Sequence, residues 1–296
     1  MSVDALEAVR PMFELRGRNY VVTGGAQGIG FAATHAICEL GGNVVVMDIQ
    51  EKPTSDFYAL AETFKVKTIY LQTDVTNEES LSAAFASAVE HLGSIDGLFP
   101  AAGIAIDKPF VEQTWQEFTR IHEINCNLGS TDFPQCDADK RHLAQVRGTF
   151  FCAQLAVKQM LKQGTGGSIV LVASQSAHIG LPGYRMAAYN ASKGAVHMLA
   201  KALAVELGPK QIRVNTISPG FVDSDMTRNV RASKPKREGD QMWLAPPMKR
   251  LSTPNDLTGA IVYLLSDAAR FTTGTDIIIT GGLHCGTIDG VISWEE

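Results

Sequence analysis

The sequence predicts an α/β fold, a doubly wound parallel sheet of about seven strands with helices on both faces. Three observations predict it. Short β-branched runs alternate with longer helical stretches from Asn19 to Ile279. The runs are almost continuously apolar, as in strands covered on both faces, and do not alternate as half-exposed strands would. A glycine cluster lies where the first run turns into a helix, and such sheets bind their ligands beyond the strand C-termini.

The first strand, Asn19–Thr23, leads into Thr23-Gly24-Gly25-Ala26-Gln27-Gly28-Ile29-Gly30. Glycines here let the backbone turn tightly and approach a pyrophosphate, while the helix N-terminus offers free N–H groups and positive potential. The second strand, Asn43–Asp48, ends on an acid 20 residues after Gly28. A carboxylate at that position can bind the adenosine ribose hydroxyls. It would repel a 2′-phosphate, and no Arg or Lys stands at Gln27, Ile49 or Gln50 to attract one. The expected cofactor is therefore NAD, with NADP possible.

The third strand spans 67–72. After it, Asp74-Val75 can meet the adenine edge, or Asp74 can serve only the turn before Thr76. Thr76-x-x-Glu79 and Thr114-x-x-Glu117 are capping boxes that open two helices, the second after a strand at 96–100. A helix from about residue 114 to residue 161 is broken at 126–145, a polar segment with Gly129 and Pro134. Strands at 168–173, 212–217 and Asp276–Ile279 complete the set. Between the last two, 225–250 reads as a long connection, and Thr253 followed by Pro254 and Asp256 opens the final helix.

Composition sets the outer limits. The chain has 296 residues, 45% hydrophobic and 19% charged, with a net charge of -5. That excludes disordered and fibrous chains, and the acidic balance argues against nucleic acid. No apolar run approaches the ~20 residues of a membrane span. The first 16 residues carry Asp4, Glu7 and Glu14, unlike a secretion signal. Five cysteines form no disulfide or metal-ligand pattern, so a reducing, cytoplasmic setting is expected. The seven histidines show no metal spacing, and no metal is expected. No repeat or linker divides the chain, which reads as one domain.

Tyr189 and Lys193, four residues apart, share a helix face. A tyrosine with a pKa of ~10 is a poor base. A neighbouring ammonium favours the phenolate, which makes the pair a candidate acid/base.

Together, Thr23-Gly24-x-x-x-Gly28-x-Gly30, Tyr189-x-x-x-Lys193, Asn215 with Ser218-Pro219-Gly220, and Arg250 with Pro254-x-Asp256 resemble the short-chain dehydrogenase/reductase family, over about residues 18–282. The wording of the motifs is similar to fungal polyol, sugar and secondary-metabolite members. The resemblance implies a Rossmann-like fold and hydride transfer between NAD(P) and a small-molecule carbonyl or secondary alcohol. Tyr189 would exchange the proton, and Lys193 would lower its pKa and bind the nicotinamide ribose. Ser174 would bind the substrate oxygen, with Ser176 as the alternative. Asn125 would hold a water in the proton relay, while Val222 and Ser224 would meet the nicotinamide carboxamide. Gly24, Gln27, Gly28, Ile29, Gly30, Asp48, Asp74, Val75, Ala102 and Gly103 would line the rest of the cofactor.

Two departures from the family pattern stand out. Pro100-Ala101-Ala102-Gly103 replaces Asn-Asn-Ala-Gly, losing both amides. Removing 126–145 would join Asn125 to Val146 and restore Asn-x-x-Gly-x-Phe. That segment reads as a surface excursion, a substrate-specific element or, the reading favoured, a translated intron. Its presence would be expected to displace Asn125. A homodimer or homotetramer through the fourth and fifth helices is also implied. The rival reading is a catalytically weak dinucleotide-binding scaffold or sensor; a dehydratase or epimerase ranks below both.

The remaining signals are weaker. Arg228, Arg231, Lys234, Lys236 and Arg237 suggest a solvated lid over the substrate at 225–250, or an anion clamp. Met226, Met242, Trp243, Leu244 and Met248 could form an apolar wall. His178 and Tyr184 could touch substrate or merely face solvent.

Overall fold

The computed structural model describes residues 8–125 and 148–286. The expected insertion at 126–145 therefore lies outside the described residues. A single seven-stranded parallel sheet runs in the order β3-β2-β1-β4-β5-β6-β7. Its strands are β1 (Asn19–Thr23), β2 (Asn43–Asp48), β3 (Thr68–Gln72), β4 (Gly97–Pro100), β5 (Gly167–Val172), β6 (Ile212–Pro219) and β7 (Asp276–Ile279). The chain order reverses between β1 and β4, and both strands end at the same level, Thr23 beside Pro100. A crevice opens beyond that end, as expected at a switch point.

The pleat sorts the core into two layers. Val21, Val45 and Leu98 face one side, against Phe85 of α3 (Glu78–Leu92), Met160 of α5 (Gly148–Gln163) and Val196 of α6 (Ala187–Leu207). Val22, Val46 and Phe99 face the other. There they meet Ile37 of α1 (Gly28–Glu39) and Leu60 of α2 (Phe57–Phe64). The same layer takes in Leu257, Ile261 and Leu264, all fully buried on the inner face of α9 (Asn255–Leu265).

Local chemistry explains most element boundaries. Thr114 and Glu117 form the reciprocal capping box that opens α4 (Trp115–Asn125): Glu117 N donates to Thr114 Oγ1, and Thr114 N donates to Glu117 Oε2 at 2.8 Å. At α3 the expected cap is wrong by one residue. Asn77, not Thr76, accepts from Ser80 N, because Thr76 is already bonded to Asp74 through both its N–H and its hydroxyl. The 225–250 connection is also largely helical, as α7 (Asp225–Ala232) and α8 (Lys236–Leu244). Pro235 precedes α8 with φ -53°, a value suited to a helix start. Both helices hang from a narrow base, where Val222 bridges Ser252 and Asp223 N donates to Ser252 O at 2.7 Å. Among the described residues, no helix is long and apolar enough to cross a membrane.

Candidate active site

Two adjoining cavities lie at the C-terminal end of the sheet. The larger, a 1210 Å³ cleft, is lined by Gly24, Gln27, Gly28, Ile29, Gly30, Asp48, Asp74, Val75, Ala102, Gly103 and Ser224 among others. The smaller, of 120 Å³, is lined by Ser174, Ser176, Tyr184, Tyr189, Lys193 and Val222 among others. Ile29, Ala101, Gly103, Ser224 and Met226 line both.

The three motif glycines do different work. Gly24 has φ +67°, and a Cβ there would lie 2.6 Å from Ala102 N, so β1 and the chain after β4 meet backbone to backbone. At Gly30 a Cβ would lie 2.1 Å from Gly24 O, so helix and turn touch. Gly28 has φ +57° yet would meet nothing nearer than Ser224 Cβ at 3.9 Å. The space before it, at the start of α1, is open to a ligand, and this fits the pyrophosphate of a dinucleotide.

Asp48 closes the far side of the cleft. Its Oδ2 accepts from Ala26 N at 3.0 Å and its Oδ1 from Gln50 N at 3.1 Å. The turn thus fixes the carboxylate in place, and each oxygen keeps acceptor capacity for a hydroxyl. Asp74 serves the turn, accepting from Thr76, while still lining the cleft.

Around the smaller cavity, Ser174 and Tyr189 line the same wall, and Ser174 acts on Tyr189 to favour its phenolate. Ser176 is tied differently, its N–H donating to Ser174 Oγ at 3.2 Å. Lys193 is buried; its Nζ donates to Val172 O at 2.8 Å and lies 5.7 Å from the Tyr189 ring centre. Two of the protein's own groups act on the tyrosine in opposite senses. Burial raises the Tyr189 pKa above its ordinary value, and Ser174 opposes that rise.

Asn125 is held between the chain after Gly103 and α6. It is fully buried, its Oδ1 accepts from Ile104 N, and its Nδ2 donates to Ile104 O at 2.8 Å and to Ser192 Oγ at 3.2 Å. The side chain therefore holds the chain after Gly103 against α6. Thr149 Oγ1 donates to Asn125 O at 2.9 Å, which joins the end of α4 to the start of α5.

The basic run is neutralised within the protein. Arg228 pairs with Asp223 and Asp225, Arg231 and Lys236 pair with Asp240, and Arg231 stacks on Trp243. Lys234 is buried against Asp107, with the Gly183 carbonyl and the Tyr184 ring as further partners. The Arg237 side chain lies outside the described residues. Asp107 also binds Arg185, so this cluster joins three loops above the smaller cavity. Nothing in sequence spacing connects positions 107, 185 and 234.

A family model described as enoyl-(acyl carrier protein) reductase matches residues 24–130 and 128–284. Sorbose reductase sou1 of Schizosaccharomyces pombe is 34% identical over 274 residues, covering 92% of this chain and 97% of that protein. The chain belongs to the short-chain dehydrogenase/reductase family. It is an NAD(P)-dependent oxidoreductase of CH–OH groups. L-rhamnose 1-dehydrogenase (NAD(P)(+)) of a Sphingomonas species is 31% identical, covering 91% of this chain and 97% of that protein. Among solved structures, the NADPH-dependent 3-quinuclidinone reductase of Rhodotorula rubra superposes with a TM-score of 0.81 at 29% identity, covering 97% of this chain and 98% of that one.

Proposed function

We propose that this oxidoreductase interconverts a ketone and a secondary alcohol on a sugar or polyol, with Tyr189 as the proton donor and acceptor. The observation that carries this reading is that Ser174, Tyr189 and buried Lys193 line one small cavity, which adjoins the glycine-lined cleft. A nicotinamide held in the glycine-lined cleft would supply or accept the hydride. Ser174 orients the substrate oxygen, and Lys193 holds positive charge near the phenol. Two relatives named for sorbose and rhamnose support the substrate class, and the small cavity suits a small molecule.

Asp48 favours NAD, since a 2′-phosphate would face a fixed carboxylate. The helices α7 and α8 form the substrate lid. Residues 126–145 are an insertion in the fourth family helix. The family match breaks at 128–130, and Thr149 meets Asn125 across the gap in sequence. The gathering of Ser174, Tyr189 and Lys193 on one cavity weighs against the scaffold reading. Exposed Trp115 on α4, Leu161 on α5 and Met198 and Val205 on α6 support a homo-oligomer through these helices.

The test is a steady-state screen of sugars, polyols and ketones with NAD(H) and NADP(H). Turnover of a sugar or polyol, with higher kcat/KM for NAD, is expected. Cofactor binding without turnover on any substrate would restore the scaffold reading.

A further inference from the structure

His178, His197 and Asp276 come from three elements: the loop after β5, helix α6 and the start of β7. Their ligand-type atoms all lie within 4.8 Å of one another. None of them lines the catalytic cavity. We propose that they form a site for a zinc-class divalent ion that clamps α6 to the sheet edge.

Two of the three separations lie near those of such a site, and an ion would replace the present His178–Asp276 hydrogen bond. His178 Nε2 lies 2.7 Å from Asp276 Oδ2, and His197 Nδ1 lies 3.6 Å from the same oxygen. Ligands bonded to zinc at about 2.0–2.1 Å in tetrahedral array stand about 3.3 Å apart. The two measured separations straddle that value. Asp276 to His197 is too far for a hydrogen bond, and His197 Nδ1 is buried without a hydrogen-bond partner among the described residues. A buried ring nitrogen aimed at a carboxylate across such a gap is a group lacking its counterpart.

The surroundings hold the carboxylate as an outer shell would. Thr216 Oγ1 donates to Asp276 Oδ1 at 2.7 Å, and Ser218 Oγ spans the carboxylate, 3.0 Å from Oδ1 and 2.8 Å from Oδ2. Fixed orientation of this kind raises metal affinity. His178 is the exposed member, and ion binding requires its ring to shift from its present contacts with Asp276 and Ser218. Binding requires it to carry its ring proton on Nδ1, since Nε2 must face the ion. With two imidazoles and one carboxylate, zinc keeps a fourth position for water.

The site would act on the fold and not on the reacting atoms. His197 follows Lys193 by one turn on α6, and His178 lies four residues beyond Ser174. An ion here would tie together the two segments that carry Ser174, Tyr189 and Lys193.

The test uses the full chain, stripped with a chelator and titrated with cobalt(II), whose visible d–d absorption reports low-symmetry nitrogen and oxygen ligation. One equivalent is expected to bind, to be displaced by zinc, and to raise the thermal midpoint. His197→Ala and His178→Ala should each weaken binding at least about tenfold, while His91→Ala, at an exposed histidine elsewhere, should not. Circular dichroism checks that the variants fold, and exposed His178 supplies a variant that leaves no core cavity. Absence of saturable binding overturns the proposal, as does equal binding by the wild type and both site variants.

Discussion

Lys234 Nζ lies 2.5 Å from Asp107 Oδ2, with the two side chains 0% and 1% exposed. The pair joins the turn between α7 and α8 to the loop after β4, behind Tyr184, which lines the smaller cavity. Its two halves are unequally supported. Without Lys234, Asp107 keeps Arg185; without Asp107, Lys234 keeps only weaker partners, a carbonyl and an aromatic face. Asp107→Ala is therefore expected to cost about 3–5 kcal/mol, as losing one partner of a buried pair does. Lys234→Met should cost less. Urea unfolding measures both, and equal losses would refute the asymmetry.

Ser174→Ala removes the contact that opposes the rise of Tyr189. The phenol should then ionise at still higher pH. Alcohol oxidation needs the phenolate as base, so the rising limb of kcat/KM should move to higher pH. Tyr189→Phe should abolish turnover while leaving cofactor binding nearly intact, read by fluorescence titration. A limb that stays in place in Ser174→Ala would show that the serine does not tune the tyrosine.

The two glycines at the start of α1 should separate in their effects. Gly30→Ala places a methyl against Gly24 O and should destabilise the fold by about 3 kcal/mol or more. Gly28→Ala meets no protein atom closely, and its positive φ costs only about 1–2 kcal/mol. Its main effect should be on cofactor affinity. Thermal melts with and without cofactor distinguish the two.

Asp48→Asn keeps the shape of the ribose contact and removes its charge. The NADP-to-NAD ratio of kcat/KM should rise about tenfold, equivalent to about 1.4 kcal/mol. An unchanged ratio would move the discrimination away from Asp48.

Deleting 126–145 should leave a folded, active enzyme, because Asn125 already meets Thr149. An inactive deletion variant beside an active full-length chain would reverse that expectation. Sequencing the mature transcript decides whether the segment is a retained intron.

Much of this is legible in sequence because it depends on local constraints. Continuous apolar runs mark the strands, and positive φ or close contact explains the glycines at 24, 28 and 30. Spacing places Tyr189 and Lys193 on one face, but it does not reveal that burial raises the pKa of the phenol. The cap at Asn77 is hidden because Thr76, a plausible cap, is engaged by Asp74. The prolines at 235, 246 and 247 suggest irregular chain, yet Pro235 immediately precedes a helix. Asp107 and Lys234 meet only through tertiary folding, and no periodicity connects residues so distant.

The narrow base of the 223–251 excursion has an engineering consequence. The chain leaves and returns beside the same short bridge, Val222 to Ser252, so the whole excursion is a cassette with adjacent ends. Exchanging it between relatives should transplant substrate preference without disturbing the sheet, provided that a partner for Lys234 travels with it at position 107.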